Sequence, residues 1–361
     1  MNLSVELVAS GDFDSATGIG RYTSSLYAHL AKYISIEIKQ PQTLPLARRI
    51  SWMHHLPIGI EGHSKKSIVH FTKIMGCALM LWRPIHPSVA TVHDLGALEY
   101  PEEWEMFDPL ARQLLRLSMT GLKRLDMIIA DSDFTRQSLI NHLGITPDRV
   151  HTVYPGIDLN CFHPKPDARQ TLVQKYPHLA NRSGPWLLYV GSELSRKNLP
   201  FLFEVVSRIK TIHPQVLFLK VGTPNGHLFR ARTHREIDQL GLNDAVLFFE
   251  RVSDSDLPLF YSAADIYIHA SKLEGFGFPV LEAMACGTPV VCCAAGALEE
   301  ITDASAIIVK PDDTGSFAEK VLALIQDQQL ARKMATHGLQ HVARYSWERT
   351  AKSVVDCYFH L

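Results

Sequence analysis

The chain is predicted to fold as two α/β domains, each built on a parallel sheet, and three observations carry that prediction. At 361 residues it is longer than one hydrophobic core usually supports, so two domains of about 150–200 residues are expected. Short apolar runs alternate with amphipathic stretches along most of its length, the pattern of successive strand–helix units. Between Tyr154 and Pro185 that alternation is interrupted by Pro155, Gly156, Pro164, Pro166, Pro177 and Pro185, a composition expected at a domain boundary.

In the first half, Val5–Ala9 reads as the opening strand and Arg21–Lys32 as the helix after it. Val89–His93 is a second strand, Asp108–Leu125 a helix, Met127–Ala130 a strand, Phe134–Leu143 a helix, and Val150–Val153 closes the series. After the boundary come strand Trp186–Val190, helix Leu199–Ile212, strand Val216–Val221, helix Thr233–Leu240, strand Val246–Phe249, helix Leu257–Ala263 and strand Ile266–His269. Pro279 opens the next helix, because its missing N–H would be unpaired there anyway. Gly287 closes it with a left-handed cap, and Pro289 cannot continue it. Val290–Cys293 then reads as a buried strand, 316–343 as one long helix, and Trp347–Phe359 as an amphipathic helix. The expected division is 1–160 and 186–345, with a linker at 161–185 and a terminal helix at 346–361.

Composition excludes several classes. Hydrophobic residues make up 46% and charged residues 20%, as in soluble globular proteins, and the net charge of −1 gives no global attraction to nucleic acid. The cysteines, Cys77, Cys161, Cys286, Cys292, Cys293 and Cys357, form no C-x-x-C pair, which points to a reduced, cytoplasmic compartment. The start Met1-Asn2-Leu3-Ser4-Val5-Glu6 lacks the basic and apolar regions of a signal peptide, so none is expected. The apolar run 280–298 is broken by Glu282 and Pro289 and is too interrupted to span a membrane.

The most informative segment runs from Glu274 to Val291, EGFGFPVLEAMACGTPVV. Glu274 is expected at a loop lip and Glu282 in the first turn of a short helix, where unpaired N–H groups and the positive dipole end gather. Such a place suits a ligand bearing both phosphate and hydroxyls: amides face the phosphate, and an ionised carboxylate accepts from a vicinal diol. Ordinary dipole compensation by a glutamate is the competing reading.

Three other constellations lie at strand ends. Arg196 and Lys197, in Gly191-Ser192-Glu193-Leu194-Ser195-Arg196-Lys197-Asn198, sit at a strand-to-helix turn where adjacent cations can hold a diphosphate; solvated residues before a helix would look the same. Gly18 and Gly20, in Thr17-Gly18-Ile19-Gly20-Arg21-Tyr22-Thr23, let backbone amides approach a phosphate or sugar, but Thr23 breaks the G-x-G-x-x-G dinucleotide fingerprint. Arg21 reads equally as a helix-surface cation. His93 and Asp94 end a strand, at the edge where open α/β sheets place ligands, although Asp94 also suits a cap.

D-x-D occurs at Asp12/Asp14, Asp131/Asp133 and Asp254/Asp256 without shared context, and Asp131/Asp133 read as helix caps before Phe134. His54-His55 lacks zinc spacing, and no metal is expected. Arg112, Arg116, Lys123 and Arg124 share a helix with Leu114, Leu115, Leu117 and Leu122, and Arg48, Arg49, Trp52, Lys65 and Lys66 lie nearby in sequence. A peripheral contact with the inner face of a membrane is one reading of that basic amphipathic helix. An ordinary surface helix with a core stripe is the other.

The segment EGFGFPVLEAMACGTPVV resembles the E-x7-E signature of the retaining GT-B glycosyltransferases of family 4 (group 1), and the resemblance extends from Gly18 to Trp347. The Gly191–Leu199 segment resembles the family's G-x4-RK-N-L donor-phosphate segment, except that Ser192 stands where many relatives carry Arg. The G-I-G-R-Y-T segment resembles a loop of mannosyltransferase-like relatives. Ala130-Asp131-Ser132, Tyr154-Pro155-Gly156-Ile157-Asp158 and Val252-Ser253-Asp254 also resemble the pattern; Val252 lies where relatives hold the nucleobase, and Glu250 replaces their usual Gly.

The resemblance implies a GT-B fold, two Rossmann-like domains facing a cleft, with the last helix packed back on the first domain. It implies metal-independent, retaining transfer of a hexose from a nucleotide sugar, GDP-mannose favoured, to a hydroxyl of a glycan or lipid-linked glycan. No cofactor beyond the donor is expected. Glu282 is implied on the ribose hydroxyls, Glu274 on the sugar hydroxyls, Arg196 and Lys197 on the diphosphate, and His93 on the donor sugar with Asp94 beside it. Gly275, Phe276, Gly277 and Leu281 belong to the same donor segment. Domain closure would exclude water and suppress donor hydrolysis. A leaving-phosphate oxygen would take the acceptor proton, in keeping with the lack of an obvious general base. A catalytically silent sugar-nucleotide-binding scaffold, a GT-B sugar-nucleotide epimerase or a phosphorylase are the alternatives.

Overall fold

The computed structural model describes residues 3–9, 18–42, 58–100, 102, 109–224 and 227–361; Asp12, Asp14, Arg48, Arg49, Trp52, His54 and His55 lie outside them. The chain divides into two compact units, Met1–Gly156 with Tyr345–Leu361, and Ile157–Arg344.

Unit 1 runs β1 (Ser4–Val8), α1 (Gly18–Leu30), β2 (Ser35–Lys39), β3 (Pro41–Gln42), β4 (Gly59–Ile60), β5 (Ile68–Phe71), β6 (Ser88–Val92), α2 (Gly96–Glu99), α3 (Pro109–Leu122), β7 (Met127–Ala130), α4 (Asp133–Leu143) and β8 (Val150–Thr152). Six strands form a parallel sheet in the order β2-β1-β5-β6-β7-β8, and β3 pairs with β4 separately. β5, β6 and β7 are buried along their whole length because helices cover both faces of such a sheet. β2 and β5 were not expected from the sequence: β2 mixes charged and apolar residues at a half-exposed edge, and β5 is four residues long with a histidine inside it.

α1 begins at Gly18, three residues earlier than its pattern indicates, and buries Tyr22, Thr23, Leu26 and Leu30. The last helix, Trp347–Phe359, belongs to this unit and packs on α1. Its Trp347 meets Tyr22 edge-on at 5.6 Å and stacks on His29 at 6.3 Å. Ser346 caps it, accepting from the Arg349 N–H.

Unit 2 runs α5 (Ala168–Lys175), β9 (Trp186–Val190), α6 (Leu199–Ile212), β10 (Leu217–Val221), α7 (His227–Gln239), β11 (Val246–Phe249), α8 (Leu257–Ala263), β12 (Ile266–His269), α9 (Phe278–Ala285), β13 (Val290–Cys293), α10 (Leu298–Thr302), β14 (Ile307–Val309), α11 (Thr314–Gln326) and α12 (Gln328–Val342). Its parallel sheet has the order β11-β10-β9-β12-β13-β14. The chain builds outward from β9 to β11, then crosses to β12 on the other side. The crevice between the carboxyl ends of β9 and β12 is therefore the point where an open parallel sheet accepts a ligand. Phe203, Phe218, Ile268, Val291 and Phe317 are among the buried residues of its core.

Two expectations differ from the structure here. Residues 161–185 are not a separate linker: they fall in unit 2, and α5 buries Ala168 and Leu172. The single helix over 316–343 is two helices. Asp327 leaves helical geometry at φ −108° and ψ 91°, and its carboxylate accepts from the Gln329 and Leu330 N–H groups. A residue that looks like a surface position of one helix is the N-cap of the next.

α3 packs closely against a 3-10 helical stretch, Ile74–Leu81, burying Leu114, Leu115, Ser118, Met119 and Leu122. The close approach depends on Gly121, where an added Cβ would stand 1.9 Å from the Cys77 carbonyl oxygen. Gly121→Ala is expected to destabilise unit 1 by about 3 kcal/mol or more through overpacking, read as an earlier unfolding transition in urea that leaves the unit 2 transition in place.

Candidate active site

The loops after β9 and β12 are tied together. After Gly191 the chain makes a 3-10 turn, Ser195–Lys197, ended by Asn198 in the left-handed region at φ +54°, from which α6 starts. The Lys272 N–H donates to the Arg196 carbonyl at 2.7 Å, and Arg196 Nη1 donates to the Leu273 carbonyl at 3.2 Å. Lys197 Nζ donates to Glu274 Oε1 at 2.6 Å, and the His269 Nε2 lies 2.8 Å from the same oxygen. Arg196 Nη1 stands 4.0 Å from Glu274 Oε2. The structure thus brings Arg196, Lys197 and Glu274 into one cluster at the switch point, with His269 behind them.

The backbone of Glu274 is fixed as well. The Ala297 N–H donates to its carbonyl at 2.9 Å. Gly296 permits this by taking φ +57° and by having no side chain, since a Cβ there would fall 2.2 Å from that carbonyl oxygen. Burial alone would push the Glu274 carboxyl up, but Lys197, His269 and Arg196 together hold it well below the ordinary glutamate value. It is an ionised carboxylate, only 6% exposed.

Glu282 lies one residue further into α9 than expected, at its fifth position, because the helix opens at Phe278, with Gly277 at φ +104° before it. Its carboxylate is buried and accepts from the Tyr261 hydroxyl at 2.8 Å; the Tyr261 carbonyl in turn accepts from Thr288 Oγ1 at 2.6 Å. Phe276 is buried, edge-on to Phe278 at 5.0 Å, and Leu281 is fully buried. Gly275 continues the same loop. Val252 is half-buried in the segment between β11 and α8.

Nearby, at the ends of β9, β10 and β11, is an ionic network that the sequence reading missed. Lys220 is fully buried, with Nζ 3.1 Å from Glu193 Oε1 and 2.5 Å from the Gly222 carbonyl. Arg230 grips the same carboxylate at 2.6 Å and reaches Glu250 at 2.8 Å, over the Phe248 ring. A lysine inside the apolar run Leu217–Val221 was the available signal, since a buried ammonium demands a partner.

In unit 1, His93 follows β6. Its Nδ1 is 2.5 Å from Asp131 Oδ2 and its Nε2 is 3.1 Å from the Thr72 carbonyl oxygen. With Asp131 ionised both ring nitrogens face acceptors, an arrangement that favours the protonated ring. Burial opposes that charge, but the Asp131 carboxylate and the Thr72 carbonyl outweigh it and raise the His93 pKa above 6.5. Asp131 therefore does not cap α4; Ser132 does, accepting from the Thr135 N–H, while Asp133 accepts from Thr152 and Tyr154. Asp94 Oδ1 accepts from the Gly96 N–H at 3.0 Å and shapes the turn into α2.

Gly18 and Gly20 are not in a loop but in the first turn of α1, Gly18 exposed and Gly20 buried. Behind them runs a buried chain that sequence reasoning also missed. Tyr22 OH lies 3.1 Å from Thr91 Oγ1, which lies 2.8 Å from His70 Nε2, and His70 Nδ1 is 2.6 Å from Tyr358 OH. Among the described residues no three His, Cys, Asp or Glu side chains converge as metal ligands.

Comparison with known proteins fits this arrangement. Residues 18–160 match the model of Glycosyltransferase Family 4 and residues 173–341 that of Glycosyl transferases group 1, between them most of the chain. The chain belongs to the group 1 glycosyltransferases and has the GT-B fold. It is 25% identical over 382 residues to O-antigen chain mannosyltransferase B of Escherichia coli, covering 95% of this chain and 96% of that one. Sucrose-phosphate synthase of Thermosynechococcus elongatus superposes with a TM-score of 0.80 at 21% identity, covering 99% and 98%. Anabaena Alr3699/HepE, solved with UDP-glucose, superposes at 0.77 with 19% identity, covering 99% and 100%. The chemistry is glycosyl transfer.

Two consequences are measurable. A carboxyl whose folded pKa is depressed contributes stability above its unfolded pKa and loses it as pH falls through the folded value. The stability difference between wild type and Glu274→Gln is therefore expected to be constant above about pH 5 and to shrink below pH 4.5, in urea unfolding of unit 2 across pH. In Asp131→Asn, burial of His93 loses its main opponent. NMR titration of the His93 ring should then show a pKa lower than in wild type, whose value lies above 6.5.

Proposed function

We propose that the chain transfers a hexose from a nucleotide sugar to a hydroxyl of a glycan or lipid-linked glycan, with retention of configuration and without a metal. The observation that carries this reading is the contact of Lys197 with Glu274, flanked by Arg196, at the switch point of the unit 2 sheet. It sets cations for a diphosphate beside an ionised carboxylate for sugar hydroxyls. Lys197 has three N–H donors and gives one to Glu274, which leaves two to meet phosphate oxygens. Arg196 adds a second cation where negative charge accumulates on the leaving group. Glu282, whose buried carboxylate accepts from Tyr261, is assigned to the ribose hydroxyls.

In unit 1, His93 is assigned to the donor sugar, oriented by its contact with Asp131, with Asp94 shaping the turn beside it. The acceptor hydroxyl attacks from the face the diphosphate leaves, and a departing phosphate oxygen takes its proton. Mannose is favoured by the likeness to the O-antigen mannosyltransferase, and GDP-mannose is the donor we favour to carry it. Arg116, Lys123 and Arg124, exposed along and just beyond α3, supply a basic surface for a membrane bearing a lipid-linked acceptor. No helix among the described residues is long and apolar enough to cross a membrane.

The test is a calorimetric panel of GDP-mannose, UDP-glucose, UDP-N-acetylglucosamine and ADP-glucose with EDTA present. One donor should bind without metal, and Lys197→Ala should weaken it about 100-fold. Binding of none, or binding only after a divalent cation is added, would overturn the proposal.

A further inference from the structure

Behind Glu274 lies a buried row of side chains that none of the sequence motifs includes. β12 carries Tyr267 and His269 on the same face of the sheet, two residues apart. The His269 side chain is 1% exposed, and its ring is stacked with Tyr189 and with Tyr267, each at a centroid distance of 5.9 Å. Its plane is therefore set by packing. The Tyr267 hydroxyl is within reach of two acceptors, the Val190 carbonyl oxygen at 3.5 Å and His269 Nδ1 at 3.0 Å, and the shorter contact, to Nδ1, is the better one for the phenol proton. With Nδ1 accepting, the ring proton sits on Nε2, and Nε2–H donates to Glu274 Oε1 at 2.8 Å. Burial and the neighbouring Tyr189, Glu274 and Glu282 push the Tyr267 phenol well above its ordinary range, which keeps it a donor.

Glu274 Oε1 then receives two donors, from His269 at 2.8 Å and from Lys197 at 2.6 Å. Oε2 has Arg196 at 4.0 Å, outside hydrogen-bond distance. The two oxygens of one carboxylate are thus given different jobs. We infer that His269, its tautomer set by Tyr267, is a positioning residue that turns Glu274 so that Oε2 faces the sugar hydroxyls of the donor. This rests on the donor-binding reading of Glu274. Lys197 alone would not fix the rotation, because it is a flexible point donor, whereas the imidazole is packed against Tyr189 and Tyr267 and met at Nδ1 by the Tyr267 hydroxyl.

The experiment compares His269→Phe, His269→Gln and Tyr267→Phe in two titrations, with the nucleoside diphosphate alone and with the intact nucleotide sugar chosen by the donor panel. His269→Phe is expected to bind the diphosphate within about 3-fold of wild type. The intact donor should bind at least about 10-fold more weakly, and kcat/KM should fall about 100-fold, the range seen when a partner orienting a ligand-binding group is removed. His269→Gln keeps an N–H near the place of Nε2 and should recover most of the loss. Tyr267→Phe, which keeps the ring stacking, should lose about 3-fold on the intact donor only. Equal losses for both ligands in all three variants, or unchanged donor binding in His269→Phe, would overturn the inference. A wild-type protein that binds no nucleotide sugar would overturn the donor-binding reading, and the inference with it.

Discussion

Unit 2 is organised around one buried charge. A carboxylate removed from water costs several kcal/mol unless its oxygens are met by donors, and removing one partner from such a site costs about 3–5 kcal/mol. Glu274 is met from three directions: by Lys197 from the loop after β9, by His269 from β12 itself, and by the Ala297 amide, which holds its backbone from the segment after β13. Those segments come together only because the sheet order places β12 between β9 and β13. The ion pair therefore depends on the topology, and the local path of the loops depends on the ion pair. The 3-10 turn at Ser195–Lys197 and the left-handed Asn198 deliver Lys197 to its partner.

Unit 1 solves a related problem with the opposite charge. Here the group at the sheet edge is His93, and the carboxylate that favours its protonated form comes from the next strand over, at Asp131 just past β7. The surrounding polar groups are neutral and strung in series, Tyr22, Thr91, His70 and Tyr358. Satisfied networks of this kind specify a single arrangement of a core, because each member left without its partner would carry a desolvation cost. The last helix contributes Tyr358 to that series and Trp347 to the face of α1, so it is part of the unit's interior.

Much of the fold was legible because buried parallel strands are continuous apolar words. Trp186–Val190, Ile266–His269 and Val290–Cys293 could be bounded to the residue. What escaped was short, polar or ambiguous. β2 carries charged residues at an edge, β14 is three residues long, and Asp327 looks like a helix-surface residue until its carboxylate is seen on two amides. Adjacent Asp131, Ser132 and Asp133 all suit a cap, and only the position of His93 decides among them. For the site, the clustering of Arg196, Lys197 and Glu274 could be anticipated from their words. His269 and Tyr267 could not, since a histidine and a tyrosine in a strand are normally read as packing. Glu282 moved by one residue along its helix because Phe278, not Pro279, takes the first helical place.

The network of Glu193, Lys220, Arg230 and Glu250 has a consequence for how this sequence can diverge. A fully buried ammonium at 220 is tolerable only while 193 is a carboxylate, and Glu193 shares that carboxylate with Arg230, which also reaches Glu250. An apolar set of matching volume would serve the fold about as well, since buried ion pairs often gain little over packed hydrocarbon. Losing Lys220 leaves Glu193 on Arg230, whereas losing Glu193 first strands Lys220. The order of change is therefore constrained, and a descendant lineage that keeps Lys220 carries an inherited restriction on position 193, far from it in sequence.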